Sequence, residues 1–384
     1  MKRRPAAAFA IALVAIAGMV ILQTCSNTSE PPVPPDPDIV DTTTHDYSWE
    51  YHFFNDTEGE ISTLRDIQVV DANDIWFVGE IYTDTLNYSI PNRWTSRFLN
   101  VLHWDGKAFT TNAYEAIIAN GDIGRANFYA VTARQRSNYL ISGLGITELN
   151  DDSMVFHDMR ILNGKWNANE MASSERSGSM FIHGRPGFLA ELVQAGPLQP
   201  IGIRQIPLPT QAPVRAFVEV GEQEYFIGVY SDETGEHHWY HSKDGSLLEY
   251  SFSPVGVYSR DYCTALWASE NKLFATTTPF LFVQSLADTS DRVFIDFLDD
   301  LGRESIGRIN RMTGLANNDI FFVGEVTTVM HYNGKSFRVY DEIKQQAAMS
   351  RFYDVAMVGD KVYIVGGRTF EGRYQAALII GTKR

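Results

Sequence analysis

Two octapeptides far apart in the chain decide the fold: Asn73–Glu80 reads NDIWFVGE and Asn318–Glu325 reads NDIFFVGE. They differ only at Trp76 and Phe321. Each sits in a longer unit with the same order of parts. A short apolar stretch precedes a polar turn (Asp71-Ala72-Asn73-Asp74; Ala316-Asn317-Asn318-Asp319). An apolar run ending in Val-Gly-Glu follows. Then come His103-Trp104 or His331-Tyr332, a turn at Asp105-Gly106 or Asn333-Gly334, and a last stretch beginning Lys-small-Phe. Asp-Gly and Asn-Gly favour the tight hairpin turn whose two central residues both need positive φ. Each unit therefore reads as a four-stranded antiparallel meander. A strand with one wet face alternates apolar and polar residues, and IWFVG does not. This second strand is expected to be buried on both faces.

Weaker copies of the second strand lie at 137–143, 178–184, 223–229, 271–277 and 360–367. Four-strand units repeated at such intervals are the pattern of a β-propeller, here seven-bladed. The seventh unit stops at Arg384 without a fourth strand, while residues 47–54, YSWEYHFF, precede the first unit as an orphan. Pairing of 47–54 with Ala376–Ile380 closes the ring and removes free sheet edges. The VYIVGG of the last unit resembles a kelch blade, and the whole of 47–384 resembles the exported β-propellers of bacteria. That resemblance implies a fold and no particular activity.

Composition bounds the rest. The chain has 384 residues, 44% hydrophobic and 12% aromatic, enough for a large all-β core. Its net charge is −15, and three units more negative without Lys2, Arg3 and Arg4. Such a chain repels phosphate backbones, so nucleic acid is not an expected partner. Lys2-Arg3-Arg4, the uncharged run Pro5–Leu22 and Cys25 form a secretory signal over residues 1–24. It resembles a bacterial lipoprotein signal, which implies acylation of Cys25 and, with Ser26 after it, an outer-membrane destination. An uncleaved anchor is the alternative. Residues 25–46 are proline-rich and acidic, a stiff spacer before the 47–384 domain. Cys263 is left without a disulfide partner if Cys25 is acylated, and reads as a small core residue.

Function is sought where the repeat is broken. The b–c and d–a connections of a propeller share one face, and the irregular segments fall there: 83–100, 114–127, 159–171, 253–262, 299–311 and 341–352. The 83–100 interruption carries Tyr88, Arg93, Trp94, Arg97 and Phe98, residue types enriched at binding hot spots. Arginines near the start of most units, Arg65, Arg125, Arg215, Arg260, Arg311 and Arg351, are expected around the channel mouth. There they bind an anionic ligand or pair with carboxylates of their own or the next blade. His237 and His241 stand too far apart along a strand to share a metal. Ser242-Lys243-Asp244-Gly245 resembles part of a sialidase Asp-box without its spacing or closing Trp, and reads as a hairpin turn. His103 and His331, at equivalent repeat positions, read as structural. No nucleophile elbow, zincin helix or phosphate loop is present, and no metal or cofactor is expected. The expectation is a non-catalytic ligand- or protein-binding scaffold at the cell envelope, its partner a protein or a glycan. A glycan-cleaving propeller enzyme and a structural component without a small ligand are the alternatives.

Overall fold

Seven four-stranded antiparallel sheets follow one another along the chain. A computed structural model describes residues 43–384 apart from 55–60, 88–92, 118–122, 126–127, 135–136, 143–144, 151–152, 159–166, 174–179, 186–187, 195–200, 211, 222, 231–236, 251–263, 278–279, 289, 302–305 and 348–349. Cys25, Tyr88, Arg260 and Cys263 lie outside the described residues. Blades 1 to 6 start with their inner strands, Thr63–Asp71, Ala130–Arg134, Asn167–Ser173, Val214–Gly221, Ala265–Ala268 and Ile309–Ala316. Blade 7 consists of Arg351–Val358, Lys361–Phe370 and Arg373–Lys383, with Tyr47–Phe54 as its outer strand. Inner strands touch those of neighbouring blades, except that blade 3 meets the inner strand of blade 4 through its second strand, and the inner strand of blade 7 touches that of blade 1. The chain is a closed seven-bladed β-propeller.

The expected closure is present residue for residue, with Glu50 opposite Ile380 and Phe54 opposite Ala376. All seven expected second strands are found, from Asp74–Asn87 to Lys361–Phe370. Their burial explains their composition. In blade 6 every residue of Asp319–Gly324 is buried. Ile320 and Phe322 pack towards blade 5, and Phe321 and Val323 towards blade 7. A strand that serves two seams has no face left for water. Seven apolar clusters among the described residues fill the seven seams. The glycine of Val-Gly-Glu has a steric cause. A Cβ on Gly79, Gly324 or Gly366 would collide with the inner-strand backbone at Thr63, Arg308 or Arg351.

Two turn expectations need correction. At Asp105-Gly106 and Asn333-Gly334 only the glycines have positive φ. The Asp105 and Asn333 carboxyl and amide oxygens instead accept backbone N–H groups two and three residues on, so side-chain capping makes the turn. Residues 83–87 and 93–100 are strand: the second and third strands of blade 1 run on as a ribbon, with Asn87 opposite Arg93. An irregularity between Val78 and Ile81 marks where the ribbon leaves the blade.

Candidate functional site

The inner strands begin at the face that carries the b–c and d–a connections, the upper face below. In blades 1, 3, 4, 6 and 7 an extra residue bulges near that end: Arg65, Asn169, Arg215, Asn310 and Tyr353. Bulges re-aim a side chain, and those of Arg65 and Asn310 reach across the seams, while Arg215 turns to its own blade. Arg65 lies over the rings of Tyr129 in blade 2 (5.3 Å) and Tyr353 in blade 7 (5.6 Å) while its Nη2 donates to Glu80 Oε1 at 3.0 Å. Asn310 Nδ2 donates to the Phe352 carbonyl at 2.7 Å. Arg215 Nε donates to the Tyr230 carbonyl at 3.4 Å.

The expected arginines thus do not form one ring. Arg65 and Arg215 share the bulge position. Arg311 stands one residue further along its strand and pairs with Asp354 of blade 7 at 3.4 Å. Arg351 opens its strand and pairs with Glu325 of blade 6 at 3.0 Å. Arg308, also of blade 6, reaches the same Glu325 oxygen at 3.3 Å. Arg125 belongs to a separate short hairpin, Glu115–Ile117 with Ile123–Arg125.

Just inside the mouth, two buried carboxylates meet across the blade 7 and blade 1 seam. Asp354 Oδ2 accepts the Ile67 N–H at 2.9 Å, and Asp66 Oδ2 accepts the Val131 N–H at 2.8 Å. Each aspartate therefore fastens its own inner strand to that of the next blade. Burial raises both carboxyls above the ordinary range, and the Asp354 charge raises Asp66 further, against the pull of Arg311. Two carboxylates this close share a proton. The Oδ2 atom of each is occupied by a backbone N–H, and Asp354 Oδ1 faces Arg311.

The upper face carries two projections on adjacent blades. One is the blade 1 ribbon. Its register puts Tyr82 opposite Phe98, Asp84 opposite Ser96 and Leu86 opposite Trp94, with Arg97 opposite Thr83 and Arg93 opposite Asn87. The Tyr82 and Phe98 rings lie 5.3 Å apart. The other projection is the blade 7 hairpin, whose turn is Glu371-Gly372. It exposes Phe370 (48%) and Tyr374 (47%). Ile61 pairs with Tyr374 as an isolated bridge and is itself 54% exposed.

The blade 6 turn beside them is irregular in another way. Val326 and Thr327 both have positive φ, 55° and 60°. The same tight turn at Asp244-Gly245 and Glu371-Gly372 puts glycine at its second central position. Two β-branched residues there cost about 1–2 kcal/mol each. The surroundings impose the shape: Thr327 N donates to the Ser350 carbonyl at 2.8 Å, its Oγ1 donates to the Ala347 carbonyl, and Ser350 N donates to Thr327 Oγ1. Val326 is left 65% exposed.

The lower face holds a different, repeated arrangement. An acid opens the second strand, an aromatic ring follows two residues on, and a histidine from the third strand stacks on that ring and bonds the acid. Blade 1 has Asp74, Trp76 and His103, with His103 Nε2 at 2.9 Å from Asp74 Oδ1. Blade 6 has Asp319, Phe321 and His331 at 3.0 Å. Blade 4 has Glu224, Phe226 and His241 at 2.8 Å. His103 and His331 are structural, as their repetition suggests. His241 belongs with them, and its neighbour His238 bonds Glu249. The third copy was hidden because Glu224 replaces Asp, yet the acid, aromatic and histidine order is visible in the sequence. Among the described residues no cluster of three or more His, Cys, Asp or Glu side chains is placed to hold a metal ion.

No protein-family model and no curated protein matches the sequence. Solved structures do. The chain is similar to YCF48 bound to D1 peptide, with a TM-score of 0.62 and 11% identity over 91% of this chain and 99% of that one. It is similar to YCF48 from Cyanidioschyzon merolae, with a TM-score of 0.56 and 10% identity over 87% and 98%. Sqt1 of Chaetomium thermophilum gives a TM-score of 0.50 and 10% identity over 86% and 97%. At such identities the likeness is one of fold.

Proposed function

We propose that this chain is an exported, lipid-anchored propeller that binds a protein partner on its upper face, without catalysis, at the cell envelope. One observation carries the reading: Ile61, Val326, Phe370 and Tyr374 are exposed on blades 6 and 7 of that face, beside half-exposed Arg308 and Arg351. Apolar side chains standing among arginines are the usual composition of a protein-binding patch. The blade 1 ribbon, whose strands carry Arg93, Trp94, Arg97 and Phe98, extends the same face. Half-exposed Arg351 adds positive charge beside it. The similar fold of YCF48 occurs bound to a peptide, which is consistent with such a use of a propeller. A glycan-cleaving enzyme needs two free carboxylates converging at the mouth. Asp66 and Asp354 converge, but both are buried and hold the blades together.

Acylation of Cys25 supplies the anchor, and the proline-rich residues 26–46 the spacer. The test is capture from envelope extract by wild type, Trp94→Ala/Arg97→Ala and Phe370→Ala/Tyr374→Ala. A partner lost from either double variant supports the reading, and an unchanged set of partners overturns it. Cys25→Ser is expected to release the protein from membranes, read by fractionation. Retention would rule out the lipid anchor.

A further inference from the structure

The blade 6 and blade 7 junction of the upper face pairs two guanidinium groups with one carboxylate. Arg308 and Arg351 both bond Glu325 Oε1, and both remain about half exposed. Each guanidinium has five donors in a rigid fork, so one shared carboxylate oxygen leaves most of them facing water. The base is stiff. Glu325 N donates to the Arg308 carbonyl at 2.8 Å, and a Cβ on Gly307 or Gly324 would strike the facing backbone. The next residue after Glu325 is Val326, held outward by a turn that its own backbone preference opposes and that Thr327 pins to Ala347 and Ser350. An apolar knob therefore stands within one residue of a carboxylate that already occupies a double-arginine cradle. Bonds link this knob to Phe370: Arg368 beside Phe370 donates to the Gln346 carbonyl at 2.7 Å, and the next residue, Ala347, accepts from Thr327.

We infer that this junction is the docking point for an acidic, extended polypeptide segment, in which a carboxylate next to an aliphatic side chain engages Arg308 and Arg351 while the aliphatic group covers Val326. This rests on the protein-binding reading and names the chemistry of its partner. Glu325 is then an internal competitor for the incoming carboxylate. Charge complementarity argues for the occupant: the molecule is strongly acidic overall, yet this spot presents two arginines to one acid. Arginines that share one acid attract a second more strongly than an evenly paired surface does.

The test is fluorescence polarisation with the full chain in detergent. The probe is fluorescein-labelled Gly-Ser-Asp-Val-Asp-Val-Asp-Ser-Gly, with Asn in place of all three Asp as control. The wild type is expected to bind the acidic probe, and more weakly as salt rises. Arg308→Gln and Arg351→Gln each reduce affinity about tenfold. Val326→Asn, which suits the positive φ but removes the apolar group, reduces it about fivefold. Glu325→Gln is expected to raise affinity about threefold, because the competitor loses its charge. A merely structural Glu325 would give no gain. An unchanged or weakened Glu325→Gln overturns the inference, as does equal binding of the Asn control. Inorganic phosphate displacing the probe at micromolar concentration would assign the cradle to a small anion and overturn it too. If the acidic probe fails to bind while extract capture still depends on Phe370 and Tyr374, this inference falls and the protein-binding reading stands. If both fail, the reading falls as well.

Discussion

The two octapeptides are nearly identical, yet their charged ends are used differently. In each, the aspartate at the lower face meets a histidine and the glutamate at the upper face meets arginine. In blade 1, Asp74 and His103 are partly exposed, and the indole N–H of Trp76 supplies a second bond to the Asp74 Oδ1 at 2.7 Å. In blade 6, Asp319 and His331 are buried, and Lys383 of blade 7 supplies the second bond to Asp319 at 2.9 Å. Phe321 has no donor and needs none. The rings of Tyr47, Trp49 and Tyr340 crowd around it, whereas Trp76 fills its own seam with a larger ring. At the upper ends, Glu80 is buried against one arginine, and Glu325 is shared between two at the surface. The same strand thus serves a closed seam in one blade and an open surface in another. Its neighbours decide which.

The comparison is broken most severely at the histidines. His331→Ala leaves Asp319 buried with one partner fewer and is expected to cost about 2–3 kcal/mol, while His103→Ala at its partly exposed site costs about 1 kcal/mol. Equal shifts in chemical denaturation would show that burial does not distinguish the two. Exchange of the aromatic residues comes next. Phe321→Trp forces a larger ring into a filled seam, at a cost of about 2 kcal/mol. Trp76→Phe gives up the indole bond and some packing, about 1 kcal/mol. A tolerated Phe321→Trp would mean the seam has room that the ring contacts do not suggest.

Smaller effects appear in pH dependence. Burial opposes ionisation of Asp319, but the bonds from His331 and Lys383 prevail and hold its carboxyl below the ordinary value. Its contribution is present above the ordinary carboxylate range and fades as pH falls through about 5 to 3. Lys383→Met should therefore lose less stability than wild type over that fall, measured by denaturation midpoints. The channel pair has the opposite sign. Burial, and for Asp66 the facing Asp354, raise both carboxyls, so their contribution is present at low pH and lost as pH rises through the raised values. Asp66→Asn should flatten the decline as pH rises above the ordinary carboxylate range.

The architecture was legible in the sequence because burial on two sides leaves a mark that polar substitution cannot hide. IWFVG, IFFVG and VYIVGG each show it, and the closing strand 47–54 was visible as a unit too many at one end and too few at the other. The mouth was less legible. A bulge shifts the register by one residue, so Arg65, Arg311 and Arg351 look equivalent by spacing and are not in space. The turn at Val326-Thr327 carries no glycine or asparagine to announce it. Its shape comes from Ala347 and Ser350, more than twenty residues away in the chain. The Asn-Asp of the octapeptides reads as turn chemistry alone, whereas its aspartate also binds a histidine in the following strand.

The closing strand has a mechanical side. The chain reaches it along the lower face of blade 6, where His45 Nδ1 lies 2.9 Å from His331 Nδ1 and Thr43 bonds the Asn318 carbonyl. Tyr47–Phe54 then climbs the outer edge of blade 7, antiparallel to Arg373–Lys383. A pull from upstream of Thr43 against a load gripped on the upper face runs along this strand. Its eight pairings share that force at once, where peeling from one end would break them singly. The joint that completes the ring is set in shear, the direction in which a strand resists traction best.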